Sequence, residues 1–188
     1  MKNTRTELSI YGNVNRFIYS PLNYHNSYDD TIWFTQLVSA IIKEDKCIVV
    51  FATRENDFYE TQENLNAIRS QIPDIFNKNG GKYLVYDKHG ASRYSICGYL
   101  EATVSTVELL KLWKFFEFFC FFTVDASSTN RDLILNNRSK YLSFKGLKQL
   151  LIEERTEFII TKTDEDNELA IDYIDEDIIK KCHNAIKP

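Results

Sequence analysis

The residues best suited to chemistry in this sequence are acids. Asp164-Glu165-Asp166-Asn167-Glu168 places oxygen donors at alternate positions, as a calcium loop requires. Such a loop also needs glycine at its sixth place and glutamate at its twelfth. Counting from Asp164, those places hold Leu169 and Asp175, so an EF-hand is excluded. A looser Mg²⁺ site on Asp172 and Asp175 is the weaker alternative, and no metal is assigned.

Nucleophile and base candidates are scattered. His25, His89 and His183 lack ligand spacing, and there is no H-E-x-x-H or G-x-S-x-G. Cys182 and His183 are neighbours, which on a helix points them about 100° apart and argues against a nucleophile–base pair. Cys47, Cys97, Cys120 and Cys182 are far apart, form no C-x-x-C, and mostly sit in apolar runs. They are expected to be buried reduced thiols. Gly80-Gly81 follows a predicted helix instead of preceding one, so it reads as a helix stop and not as a phosphate cradle. No catalytic residue and no cofactor is assigned.

Charge is more informative. The 188 residues carry a net charge of −4, with 44 % apolar and 14 % aromatic residues. That composition belongs to a folded globular chain. Residues 1–150 are net +2 and residues 151–188 net −6. Eight carboxylates, Asp164, Glu165, Asp166, Glu168, Asp172, Asp175, Glu176 and Asp177, fall in one stretch without a Lys or Arg among them. A counterpart exists in Arg131, Arg138, Lys140, Lys145 and Lys148, interleaved with Tyr141 and Phe144, a pattern that can track a phosphate backbone. With a pI of about 5.5, however, nucleic-acid binding is not expected. The same basic patch could pair with the acidic stretch of a second copy, so a homodimer stays open.

These residues must be positioned by a sheet and helices. Glu7–Tyr11 and Arg16–Tyr19 flank Gly12-Asn13 and predict a hairpin. A helix capped by Asp29 or Asp30 runs to about Lys43. Cys47–Phe51 is a continuous apolar run, the mark of a central strand covered on both faces. A helix from Asp57, with Glu60 in capping-box spacing, runs to about Ile72, is broken or bent at Pro73, and is stopped by Asn79-Gly80-Gly81. Lys82–Asp87 and Tyr94–Glu101 form a second hairpin. Ser105 and Glu108 open another helix, which gives way to a strand from about Phe118 to Asp125. Ser143–Glu154 is a helix, Glu157–Thr163 and Glu168–Ile174 are a third hairpin, and Asp175 caps a last helix.

The fold class expected is α/β, with α+β the alternative: a single domain over residues 1–188, its mixed β-sheet and hairpins flanked by four to five helices. The weakest point for a boundary is near residues 126–130. Leu109–Val124 is too short and too charged to cross a membrane, no secretory leader is read at Met1, and a cytoplasmic location is expected.

The function expected is a non-catalytic binding protein, an acidic inhibitor that neutralises a basic, nuclease-type toxin by occluding its cleft. Carboxylates would stand in for phosphates, at Asp164, Glu165, Asp166, Glu168, Asp172, Asp175, Glu176 and Asp177, with Tyr173 as an aromatic anchor. In size, acidity and want of catalytic signatures the chain looks like the small immunity proteins that bacteria pair with secreted toxins, a likeness resting on no motif. The alternative is a small enzyme assembled from Arg54, Asp87 and His89.

Overall fold

The structure, a computed structural model, describes residues 3–8, 13–20, 36–43, 45–55, 70, 73–86, 93–101, 118–141, 143–163 and 168–186. In chain order they form β1 (Asn3–Leu8), β2 (Asn15–Ser20), helix α1 (36–41), β3 (Lys46–Glu55), helix α2 (73–78), β4 (Lys82–Tyr86), β5 (Arg93–Glu101) and β6 (Phe118–Asp125). The chain continues with α3 (Ser128–Asn136), a single turn α4 (Arg138–Tyr141), α5 (Phe144–Ile152), β7 (Phe158–Lys162), β8 (Leu169–Tyr173) and α6 (Glu176–Ile186).

All eight strands join one sheet in the order β1-β2-β8-β7-β6-β3-β5-β4. Hairpins form at the three predicted places, as β1–β2, β4–β5 and β7–β8, although β1 is Asn3–Leu8 and lies earlier than the expected strand at Glu7–Tyr11. The sheet is not mixed, as the alternation of strands and helices suggested: every described pairing is antiparallel. Parallel neighbours arise when a helical crossover lands beside its starting strand. Here β5 turns back from β4 and inserts between β3 and β4, so no two described strands of like direction touch.

Alternation along the strands builds two cores. On one face Ile48, Val50, Ala52, Phe119, Phe121, Ile160 and Ile171 pack against Leu37, Val38 and Ile41 of α1, Phe76 of α2, and Ile178 and Cys182 of α6. On the other, Val49, Phe51, Cys120, Phe122 and Ile159 pack against Ile134 and Leu135 of α3, Tyr141 of α4, and Leu147, Leu150 and Leu151 of α5. Helices cover both faces, which is why β3 and β6 tolerate unbroken apolar runs. Gly98 of β5 leaves room for the Phe76 ring: a Cβ there would lie 2.5 Å from Phe76 Cε1. Within the stretch 126–130, α3 begins at Ser128. No described helix is long and apolar enough to cross a membrane. The predicted helices opening at Asp57 and Ser105 lie outside the described residues.

Candidate protein-binding surface

The acidic end of the molecule is built where α5 stops and α6 starts. Ser143 caps α5, its side chain accepting from the Gly146 N–H at 3.1 Å. At the other end the Glu154 N–H donates to the Leu151 carbonyl at 3.0 Å and the Arg155 N–H to Leu150 at 2.9 Å. That is the Schellman closure, and it forces the intervening residue into the left-handed region. Gly80 takes this role after α2 with φ 62°, whereas α5 uses Glu154 with φ 56°. A residue with a Cβ costs about 1 kcal/mol in that conformation. Its carboxylate also sits at the negative end of the helix dipole, where a cation is favoured.

Thr156 then fixes the approach to β7, its hydroxyl donating to the Phe158 carbonyl at 2.9 Å. Two strands later Asp175 caps α6, with Oδ1 accepting from the Asp177 N–H at 2.9 Å. Between these joints lies a concavity of about 330 Å³ with Leu151, Ile174 and Ile178 as its apolar floor. Glu154, Glu157 and Asp175 form its rim, Asn13 and Thr156 complete the wall, and Ile152 borders it at 47 % exposure.

The rim charges are lightly held. Glu157 accepts from Lys43 Nζ at 2.7 Å, but both side chains are well exposed, so a competing cation displaces the pair at little cost. Glu153 is tied to Arg155 at 2.8 Å, which holds its carboxyl below the usual range. Asp177 is bonded to Lys180 at 2.7 Å, with the same effect on its carboxyl. Among the described residues, neither Glu154 nor Glu176 is in an ion pair.

The predicted acidic residues are distributed unevenly across this surface. Asp175, Glu176 and Asp177 are exposed at the start of α6. Asp164, Glu165 and Asp166 lie outside the described residues. Glu168 is buried, and Tyr173 is 4 % exposed inside the first core, where burial raises its phenol pKa. Asp172 is 2 % exposed and receives both Arg16 Nε at 2.7 Å and Arg16 Nη2 at 2.8 Å. These three are interior groups, so they do not contribute to an exposed docking face. The Mg²⁺ alternative fails with them, because Asp172 is committed to Arg16 and Asp175 to the α6 cap. Glu154, Glu157 and Ile152 were missed by the sequence reading. The two glutamates are signalled only by the net charge of −6 after residue 150.

Of the basic patch, Lys140 and Lys145 are exposed and Lys148 is not. Lys148 and Tyr141 are buried, Arg138 reaches the Leu135 carbonyl at 3.4 Å, and Lys140 lies 3.8 Å from Glu153. Desolvation lowers the pKa of Lys148, although neighbouring Asp172 opposes the shift. Cys182 is buried with its thiol pushed up to about 12, while His183 is exposed and edge-on to Phe17 at 5.0 Å. A thiol so hard to ionise is a poor nucleophile. Asp87 and His89 lie outside the described residues. No group of three or more metal-ligating side chains converges among the described residues. No protein-family model matches this chain, and no curated protein matches it.

Proposed function

We propose that this chain is a non-catalytic binding protein, an acidic inhibitor of the immunity type, which occludes the cleft of a basic, nuclease-type toxin with the end formed by α5 and α6. The observation that carries the reading is Glu154. Glu176 and Asp177 occupy a helix N-terminus, where acids are favoured for the helix's own sake. Glu154 occupies a helix C-terminus in a left-handed conformation, where both the backbone and the dipole disfavour it. Strain kept at a surface position points to use of the side chain. Around it, Ile152 and the apolar floor supply the desolvated centre, and Glu157, Asp175 and Glu176 supply the charged rim of a protein interface.

The test is a paired affinity capture from host lysate on the wild-type chain and on the variant Glu154→Gln, Asp175→Asn, Glu176→Gln, eluted stepwise with salt. Asn keeps the α6 cap, so the variant changes charge and not fold. One basic protein held at stoichiometric level by the wild type and lost by the variant is the expected result. Equal retention by both chains, or no basic protein on either, refutes the proposal.

A further inference from the structure

The sheet ends differently on its two sides. At one edge β1 reads Asn3-Thr4-Arg5-Thr6-Glu7-Leu8, polar and charged, a composition that keeps an edge from pairing with another chain. At the other edge β4 reads Lys82-Tyr83-Leu84-Val85-Tyr86, three strand-forming residues and a leucine behind one lysine, with no proline. Among the described strands β4 has one neighbour, β5. Leu84 is 42 % exposed, and the other large apolar side chains so exposed among the described residues are on helices. Beside it a trough of about 410 Å³ separates the sheet edge from α3, walled by Tyr83, Leu84 and Leu135.

We infer that this edge is a homodimer interface, in which β4 pairs antiparallel with β4 of a second copy and joins the two sheets. The strand has five residues with Leu84 at its centre. A two-fold axis through that point, normal to the sheet, sets Leu84 against Leu84, Tyr83 against Val85 and Lys82 against Tyr86. The sense matches every other described pairing in the sheet. Charge also favours a second copy here. Among the residues that line the trough, Asp132 balances Lys82, so the lining carries no net charge in a chain of net charge −4. The α5–α6 end would repel its own copy.

A five-residue edge makes a small interface, so the dimer is weak, with a Kd on the order of 10–100 µM. Sedimentation velocity from low to several hundred micromolar should show a concentration-dependent monomer–dimer equilibrium, abolished by Leu84→Lys. A residue on the axis meets its own copy, so Leu84→Cys should form a disulfide-linked dimer under mild oxidation. The native cysteines are buried, and Ile152→Cys, similarly exposed at the other end, is the control. A monomer across the range overturns the inference, as does Leu84→Cys cross-linking no faster than Ile152→Cys. A monomer whose captured foreign partner is lost in Leu84→Lys overturns it too, and assigns the edge to a partner's strand. These readouts need no basic partner, so their failure leaves the α5–α6 proposal standing.

Discussion

Arg16 of β2 and Asp172 of β8 face each other across adjacent strands and meet through two hydrogen bonds, Nε to Oδ1 and Nη2 to Oδ2, at 2.7 and 2.8 Å. The aspartate is almost wholly buried and the arginine partly so, with Lys148 of α5 close enough for each to influence its charge. A buried carboxylate left without its partner costs more than the pair contributes. Arg16→Met should therefore lower stability by about 3 kcal/mol in urea unfolding, discounted from the fully buried case because Arg16 retains some solvent. The double variant Arg16→Met, Asp172→Leu should recover at least half of that loss. Additive losses would show that the pair does not act as a unit.

Glu154→Gly tests the strained helix end directly. Glycine takes φ 56° without penalty, so the variant should be about 1 kcal/mol more stable in thermal or urea unfolding. It should also bind the basic partner at least about tenfold more weakly, the loss expected for a charge-assisted contact. Glu154→Ala separates the two effects, since it removes the carboxylate and keeps most of the strain. A gain in stability with unchanged affinity would remove Glu154 from the interface.

Phe76 and Gly98 form a ring-in-notch contact between α2 and β5. Gly98→Ala drives a methyl group into that ring and against the Lys82 carbonyl, 2.7 Å away, and should cost about 2–3 kcal/mol as overpacking. Phe76→Leu in the same chain should restore part of it. Urea midpoints of the two single variants and the double variant provide the check.

Alkaline solutions should destabilise the fold through its thiols. Cys97 and Cys182 are both raised to about 12 by burial, from an ordinary value of 9.0. Between those values the unfolded chain releases protons that the folded chain keeps, so stability falls as pH rises. Each thiol contributes about 1.4 kcal/mol per pH unit in that window. Lys148 works the other way: its lowered pKa means that the unfolded chain holds the proton longer, so its penalty is relieved as pH approaches 10.5. Burial also raises Cys120 and Tyr173, so the groups that lose stability with rising pH outnumber Lys148, and the net loss is visible as a falling urea midpoint above pH 9. At pH 8 a thiol reagent should find all four cysteines silent until the chain unfolds.

Much of the architecture was legible in the sequence where one physical signal dominated. The run Cys47–Phe51 announced a strand covered on both faces, and β6 begins at Phe118 and ends at Asp125, as its apolar pattern predicts. Asp175 caps the last helix for the same local reason that it was expected to. Strand direction was not legible, because it depends on where each crossover lands, and the insertion of β5 beside β3 leaves no mark in either segment. Asp172 was misplaced for a related reason. In sequence it lies between the acids Glu168 and Asp175, yet its pleat faces Arg16, a residue 156 positions away. Glu154 was invisible because left-handed backbone in a residue other than glycine is imposed by the helix closure around it.

The separation of β2 from β8 also bears on the timing of synthesis. The first hairpin of the chain completes the sheet only by pairing with its last strand. At a ribosome speed of 5–20 residues per second, about 8–30 s pass between emergence of Arg16 and arrival of Asp172. During that interval β2 has β1 but lacks its permanent second neighbour, with Phe17 destined for a core not yet assembled. The polar, charged make-up of β1 then serves the nascent chain as well as the finished one, by shielding the outer side of a hairpin that must wait.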